Sequence, residues 1–233
     1  MNSVSPRLAA IADWVIAGQP VADIGSDHAW LVIHLLSSGY CPRAIITDIN
    51  PLPLRRAQSM IAKYGLLDRC DFRLGDGLSP LGTEEVATVC VAGMGGQTML
   101  DMIRIAGAKL PSYQRLILQP MNVFSPLRNF LSQLGYPILR ERAVKEGEAC
   151  FVIMEVGTQI GDLGSLSALE AEVGPYILTH PTDYDNKYYL QQWLQKYDQR
   201  WHQMGQSLRP QVEKQRQDIF SARQRLEEVL TGC

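Results

Sequence analysis

A turn with two carboxylates follows the first short apolar segment of the chain, in residues 23–29 (DIGSDHA). Turns that bind dinucleotides read GxGxxG and hold the pyrophosphate at a helix N-terminus. This turn has only Gly25, and Asp27 stands where a second glycine would be. Because Asp23 and Asp27 would repel a pyrophosphate, the turn favours a ligand that carries positive charge, such as a sulfonium or an amine.

Two further carboxylates follow later apolar segments. Asp48 comes 23 residues after Gly25, about where an acidic residue accepts hydrogen bonds from ribose hydroxyls. Asp76 stands between two glycines, which let the backbone approach a flat ring while the carboxylate accepts from an exocyclic amine such as adenine N6. Alone, each is as readily a helix cap or a simple turn.

The next two segments end in small or amide residues. Residues 93–96 (GMGG) leave open space and permit positive φ angles, and residues 119–122 (QPMN) supply amide groups that can donate and accept. The order along the chain is an acidic turn, a ribose carboxylate, an adenine carboxylate and an open glycine floor. That order predicts S-adenosylmethionine as the cofactor, and not a dinucleotide.

The elements that must position these residues alternate between apolar strands and helical patterns. The predicted strands are 21–24, 44–48, 71–74, 88–92 and 116–119, and the predicted helices between them are 29–38, 54–64, 97–106 and 126–134. Such alternation predicts βαβ units and a parallel sheet covered on both faces, which is a doubly wound α/β domain. Segments 138–144 and 149–156 predict an antiparallel hairpin at the edge of the sheet. Ligands bind such sheets outside the carboxyl ends of the strands.

The pattern changes near residue 160. We predict one domain over residues 1–160 and a helical C-terminal domain over residues 161–233. A helical stretch is expected around residues 166–178. Two heptad-like series then start near Leu190 and Val212 and are separated by Arg209-Pro210. They predict an antiparallel helical hairpin of the coiled-coil type.

Six motifs, in this order, resemble the bacterial TrmK family of tRNA (adenine(22)-N(1))-methyltransferases. They are ADIGSDHAWL (22–31), Asp48-Ile49-Asn50, YGL (64–66), RLGDGL (73–78), AGMGG (92–96) and LILQP (116–120). The resemblance covers about residues 5–157 and implies a class I, Rossmann-like methyltransferase domain with a C-terminal coiled coil. Over the C-terminal helices it is architectural only.

The same resemblance implies which residues contact the cofactor. The implied cofactor residues are Asp23, Gly25, Asp27, His28, Asp48, Ile49, Asn50, Asp76, Gly77, Gly93, Met94 and Gly95. N1 of adenine carries a lone pair that can attack the sulfonium methyl carbon directly, so the enzyme chiefly has to extrude and align the base. We expect Asp27, His28 and Asn122 to flank the target base as catalytic residues.

A tRNA partner has to be reconciled with a net charge of −2. The charge is −5 over residues 1–186 and +3 over residues 187–233, so the C-terminal helices can contact phosphates. The candidates there are Arg200, Arg209, Lys214, Arg216, Arg223 and Arg225. Those in the first domain are Arg55, Arg56, Arg128, Arg140, Arg142 and Lys145. For any one of them, a solvated helix face is the simpler interpretation.

Several classes of protein are not expected. No apolar run approaches the roughly 18 residues that span a bilayer, and the five cysteines show neither disulfide nor metal-ligand spacing. We therefore expect a cytoplasmic enzyme without membrane or metal partners, either a monomer or a weak dimer. The alternatives are a methyltransferase acting on another RNA position or a small molecule, and a non-catalytic partner protein that binds S-adenosylmethionine.

Overall fold

A seven-stranded sheet lies at the centre of the computed structural model, which describes residues 4–26, 28–204 and 210–232. Its strands are β1 (Val21–Ile24), β2 (Ala44–Asp48), β3 (Cys70–Leu74), β4 (Thr88–Met94), β5 (Arg115–Pro120), β6 (Ile138–Glu146) and β7 (Ala149–Gly157). Their order across the sheet is β3-β2-β1-β4-β5-β7-β6. The first five are parallel, and β7 is antiparallel to both of its neighbours. The predicted doubly wound sheet with an antiparallel hairpin at its edge is confirmed.

Helices cover both faces of this sheet. They are α1 (Pro6–Ala12), α2 (Trp30–Ser37), α3 (Pro51–Lys63), α4 (Gly96–Ala106) and α5 (Phe124–Gln133). Burial alternates along the strands, so that Val89 and Val91 belong to one hydrophobic cluster and Cys90 between them belongs to the other. A strand packed on both sides is apolar throughout, which is why β4 has a continuous apolar sequence.

The C-terminal region begins with two short helices where one helical stretch was expected. α6 (Ala168–Val173) and α7 (Pro175–Thr179) are separated by Gly174, which has a φ of +115°. Proline is favoured at the first position of a helix and lacks the N–H that would continue the preceding one. The chain therefore turns at Gly174, and Pro175 starts a new helix.

Two long helices follow, α8 (Tyr184–Gln203) and α9 (Pro210–Thr231). The ring centroids of Trp201 and Phe220 lie 5.4 Å apart, and Asp198 pairs with Arg223. Because residues further along α8 contact residues earlier in α9, the helices run antiparallel. The predicted helical hairpin is confirmed, and its coiled-coil packing stays a prediction.

Arg128 is fully buried, so its proposed contact with phosphates is wrong. Its Nε donates to Glu141 Oε1 at 2.7 Å, and its two terminal nitrogens donate to the last carbonyls of α6. These carbonyls have no intrahelical partner, and a guanidinium satisfies several of them at once. Arg128 therefore fixes the end of α6 against α5 and β6.

Candidate cofactor pocket and active site

Gly25 forms the turn after β1 and leaves no room for a side chain. Its φ is +73°, its N–H donates to the Thr47 carbonyl at 2.7 Å, and a Cβ here would lie 1.8 Å from Cε of Met94. A positive φ is strained for residues other than glycine. Met94, at the end of β4, thus lies against the β1 turn, and the two strand ends form one site.

Asp23 is buried near the end of β1, with 6% of its surface exposed. Burial raises the pKa of this carboxyl to about 6, and a hydrogen bond with the Ser26 side chain partly offsets that rise. A buried carboxylate without a cation is costly, so a positively charged ligand beside Asp23 would favour its ionised form. Asp23 by itself therefore gives a physical reason for the predicted preference of this turn for a positively charged ligand.

Arg7 lines a pocket of about 190 Å³ at the β1 turn, together with Asp23, Gly25, Ser26, His28, Ala29 and Gly93. Its Nη1 donates to Oε1 of Gln119 at 2.5 Å, and the same oxygen accepts from the N–H of Gly93 at 3.0 Å. Sequence reasoning missed Arg7, because only the folded chain brings α1 to the end of β5. A guanidinium here suits a ligand carboxylate.

Asp48 and Ile49 lie where β2 ends and α3 begins. Oδ1 of Asp48 accepts from the N–H of Asn50 at 2.7 Å, which leaves the other carboxylate oxygen for a ligand hydroxyl. Ile49 is 59% exposed, although it is a large apolar residue. An exposed apolar side chain beside a carboxylate suits a nucleoside, whose ring covers the isoleucine while its ribose contacts Asp48.

Asp76 follows β3 at one end of a cleft of about 430 Å³. The cleft lies between residues 76–79 and one side of α4, where Thr98, Met102 and Ile105 line it. Gly77 has a φ of +51°, and a Cβ there would lie 2.9 Å from Cγ of Met102. The exposed Asp76 carboxylate at the rim of a partly apolar cleft suits a flat heterocycle with an amino group.

Asn122 is tied to the glycine floor. Its Oδ1 accepts from the N–H of Gly96 at 3.2 Å, and a Cβ on Gly96 would lie 2.4 Å from the Asn122 carbonyl oxygen. The side chain thereby satisfies one of the unpaired N–H groups at the start of α4. Because Oδ1 is used in this way, the side-chain NH₂ is the group that can face a base.

His28 is exposed and lines the Arg7 pocket, Gly95 directly precedes α4, and Asp27 lies outside the described residues. In sheet order the strand ends carry Asp76, Asp48, Gly25, Gly93 and Gln119. The predicted cofactor residues that the structure describes therefore lie in one row across four adjacent strand ends, and Gln119 extends this row to a fifth.

Neither a metal site nor a membrane-spanning helix occurs in the described parts of the chain. No group of three or more His, Cys, Asp or Glu side chains there can hold a metal ion. Among the helices so described, none is long and apolar enough to cross a membrane.

The residues in this row fit S-adenosylmethionine by the chemistry of their side chains. A buried carboxylate and a guanidinium at the β1 turn match the ammonium and carboxylate of its methionyl part. Asp48 matches the ribose hydroxyls, and Ile49 with Asp76 matches the adenine.

Comparison with known proteins gives consistent matches. Residues 4–154 match the family described as "Methyltransferase domain". The tRNA (adenine(22)-N(1))-methyltransferase of Bacillus subtilis is 29% identical over 229 residues, covering 97% of this chain and 92% of that protein.

Solved structures extend the match to the C-terminal helices. Bacillus subtilis TrmK superposes with a TM-score of 0.83 at 25% identity, over 99% of this chain and 100% of that one. A Streptococcus pneumoniae relative, solved in complex with S-adenosyl-L-methionine, gives 0.82 at 28% identity over 98% and 100%. The class I, Rossmann-like methyltransferase fold is confirmed. The chain therefore belongs to the methyltransferase-domain family, and its resemblance to the TrmK family is confirmed.

Proposed function

We propose that this protein transfers a methyl group from S-adenosylmethionine to N1 of adenine 22 in tRNA. The observation that carries the proposal is the row of cofactor-matching residues across four adjacent strand ends, in a chain that matches the Bacillus subtilis enzyme of that name almost throughout. The fold is that of a class I methyltransferase, and the side-chain chemistry of the candidate site supports the same activity. The match over almost the whole chain supports adenine 22 as the nucleotide that is methylated and N1 as the atom that receives the methyl group.

The cofactor supplies an electrophilic methyl group on a sulfonium. Asp23 and Arg7 hold the two charged ends of its methionyl part in the β1 pocket. Asp48 and Asn50 orient the ribose, and Asp76 accepts from the adenine amino group. Gly25, Gly77 and Gly93 have positive φ angles, so that backbone and not side chain faces the cofactor. The other cofactor contacts in this proposal are Asp27, His28, Ile49, Met94 and Gly95.

The target base enters above Gly93–Gly96. N1 of a neutral adenine needs no deprotonation before it attacks, so the protein's contribution is to extrude the base and align N1 with the methyl carbon. His28 flanks the base from the β1 turn, and the Asn122 NH₂ group faces it from β5. Asp27 belongs to the same proposal and can stabilise the cationic product.

The proposal also covers the setting in which the enzyme works. The protein acts in the cytoplasm on tRNA, as a monomer or a weak dimer. The five cysteines carry no disulfide spacing, as is usual in a reducing compartment.

The test is incubation of the purified protein with methyl-labelled S-adenosylmethionine and unmodified tRNA, followed by mapping of the labelled nucleotide. We expect label at N1 of adenine 22. A tRNA with guanine at position 22 is the matched control and should stay unlabelled. Label on another atom or nucleotide would contradict the substrate, and absence of label despite cofactor binding would contradict the activity.

A further inference from the structure

The outward face of α3 is a cationic surface. Arg55, Arg56 and Lys63 are exposed on it, and the thirteen residues of the helix include no Asp or Glu. No carboxylate of this helix therefore neutralises Arg55 or Lys63. We name this face, with its three cations, the α3 surface.

A groove joins the α3 surface to the candidate active site. The groove has a volume of about 280 Å³ and is lined by His28, Arg55, Arg56, Ser59, Met60 and Lys63. His28 also lines the pocket that holds Arg7 and Gly25. A strand lying in this groove would therefore reach the β1 turn, where the target base has to enter.

An aromatic pair borders the same surface. Tyr64 directly follows α3, is 41% exposed, and packs edge-on against Trp30 with ring centroids 6.1 Å apart. Trp30 lines the Arg7 pocket as well. Cations that follow a backbone, together with rings on which bases stack, are the combination found in single-stranded nucleic-acid sites.

Three arginines of the C-terminal helices, in contrast, are paired with carboxylates. Arg200 pairs with Glu172, Arg223 with Asp198, and Arg225 with Glu228. A phosphate would have to compete with these carboxylates. Within the described parts of the chain, Arg55 and Lys63 form no ion pair with a carboxylate, so they complement a phosphate backbone better.

We propose that the α3 surface binds the phosphate backbone of the substrate RNA next to the extruded base, with the Tyr64 ring beside a neighbouring base. This inference rests on the proposed function only in taking RNA as the substrate. It assigns Arg55 and Lys63 to RNA binding and not to the cofactor.

The test compares tRNA binding by Arg55→Gln, Lys63→Gln and the control Arg43→Gln. Arg43 is also exposed but directly precedes β2, at the amino ends of the parallel strands and away from the site. We expect each α3 variant to raise the dissociation constant of unmodified tRNA at least threefold. The slope of log affinity against log salt should fall by about 0.7–0.9 per cation removed. S-adenosylmethionine affinity and the control should match the wild type.

Tyr64→Leu separates stacking from charge. It should weaken tRNA binding while the salt slope stays unchanged, since stacking releases no counterions. Wild-type tRNA affinity and salt slope in both cation variants would overturn the phosphate assignment, and wild-type affinity in Tyr64→Leu would remove the ring from the surface. If the wild type binds tRNA through these residues but labels no adenine, the proposed activity fails and the surface stands.

Discussion

Nη1 of Arg7 donates to Oε1 of Gln119 across 112 positions of sequence, and that oxygen also accepts from the N–H of Gly93. The first helix is thereby connected to the ends of β4 and β5 through one buried amide. The Arg7 guanidinium also packs on the ring of Phe151 in β7, with 5.0 Å between its Cζ atom and the ring centroid. The position of the Arg7 guanidinium in the candidate cofactor pocket is therefore set by α1, β5 and β7 together.

Replacement of Arg7 should weaken cofactor binding. Because a charge-assisted hydrogen bond contributes about 1.5–3 kcal/mol, Arg7→Gln should raise the dissociation constant of S-adenosylmethionine by roughly tenfold or more. Arg7→Lys, which keeps the charge but not the fork of donors, should recover part of the affinity. Isothermal titration calorimetry measures both, and a thermal melt checks folding. Wild-type affinity in Arg7→Gln would show that Arg7 does not contact the cofactor.

Gly25→Ala and Gly39→Ala form a matched pair. Both glycines have a φ near +70°, but a Cβ at Gly39 meets nothing within 4 Å, whereas one at Gly25 meets Met94 at 1.8 Å. Gly39→Ala should cost about 1–2 kcal/mol in the free energy of unfolding through backbone strain alone. Gly25→Ala should add the displacement of Met94 and lose measurable cofactor binding. Urea unfolding and cofactor titration report the two effects, and equal behaviour of the two variants would contradict the close packing of Met94.

Asp23 should make folding stability depend on pH. Its pKa is raised from 3.8 to about 6, so its contribution to stability is complete below pH 4 and is lost as the pH rises through 6. The loss amounts to at most about 3 kcal/mol, since one pKa unit corresponds to about 1.4 kcal/mol. The difference between wild type and Asp23→Asn in urea unfolding at pH 4, 5, 6 and 7 isolates it. A difference that does not vary with pH would contradict the raised pKa.

The same carboxyl should control cofactor affinity in the opposite direction. Only the ionised form attracts the positive charges of S-adenosylmethionine, so affinity should increase as the pH rises through about 6. Asp23→Asn should bind weakly at every pH and lose this dependence. Titrations between pH 5 and 7.5 measure it. An unchanged pH profile in Asp23→Asn would assign the dependence to another group.

Arg128 and Glu141 should be strongly coupled. Removal of one partner from a buried ion pair leaves an uncompensated charge, so Arg128→Met should cost about 3–5 kcal/mol in the free energy of unfolding. Burial raises the pKa of Glu141 and the Arg128 guanidinium opposes that rise, so the Glu141 carboxylate depends on Arg128 for compensation. Arg128→Met/Glu141→Leu should therefore be more stable than Arg128→Met alone. Additive losses in urea unfolding would exclude the coupling.

The strands were predictable because a parallel sheet buried on both faces makes each strand apolar along its length. The five parallel strands fall within about two residues of their predicted positions, for example Thr88–Met94 against 88–92. Helix starts were less predictable, since they depend on turn geometry. α3 begins at Pro51, three residues before its predicted start at residue 54, and Pro51 stands at the beginning of the helix, where proline is favoured.

Contacts between distant segments were not predictable from the residues alone. Nothing in the sequence around Arg7 marks it as a functional residue, and only the fold places its side chain at Gln119. Arg128 lies on a helix whose pattern favours an exposed arginine, yet the end of α6 covers it. The candidate cofactor residues were easier to find, because each lies at or just after the end of a strand and strand order then brings them together.

The helical hairpin has two ends with different attachments. Leu190, Trp193, Tyr197 and Leu226 belong to the same hydrophobic cluster as the sheet, whereas Trp201 and Phe220 pack outside it. The end of the hairpin that packs on the sheet, around Leu190 and Leu226, should therefore unfold only with the whole domain. The end around Trp201 and Phe220 should open locally at a smaller free-energy cost. Amide hydrogen exchange along α8 should accordingly accelerate from Leu190 towards Gln203, so that one helix combines a rigid attachment with a compliant tip.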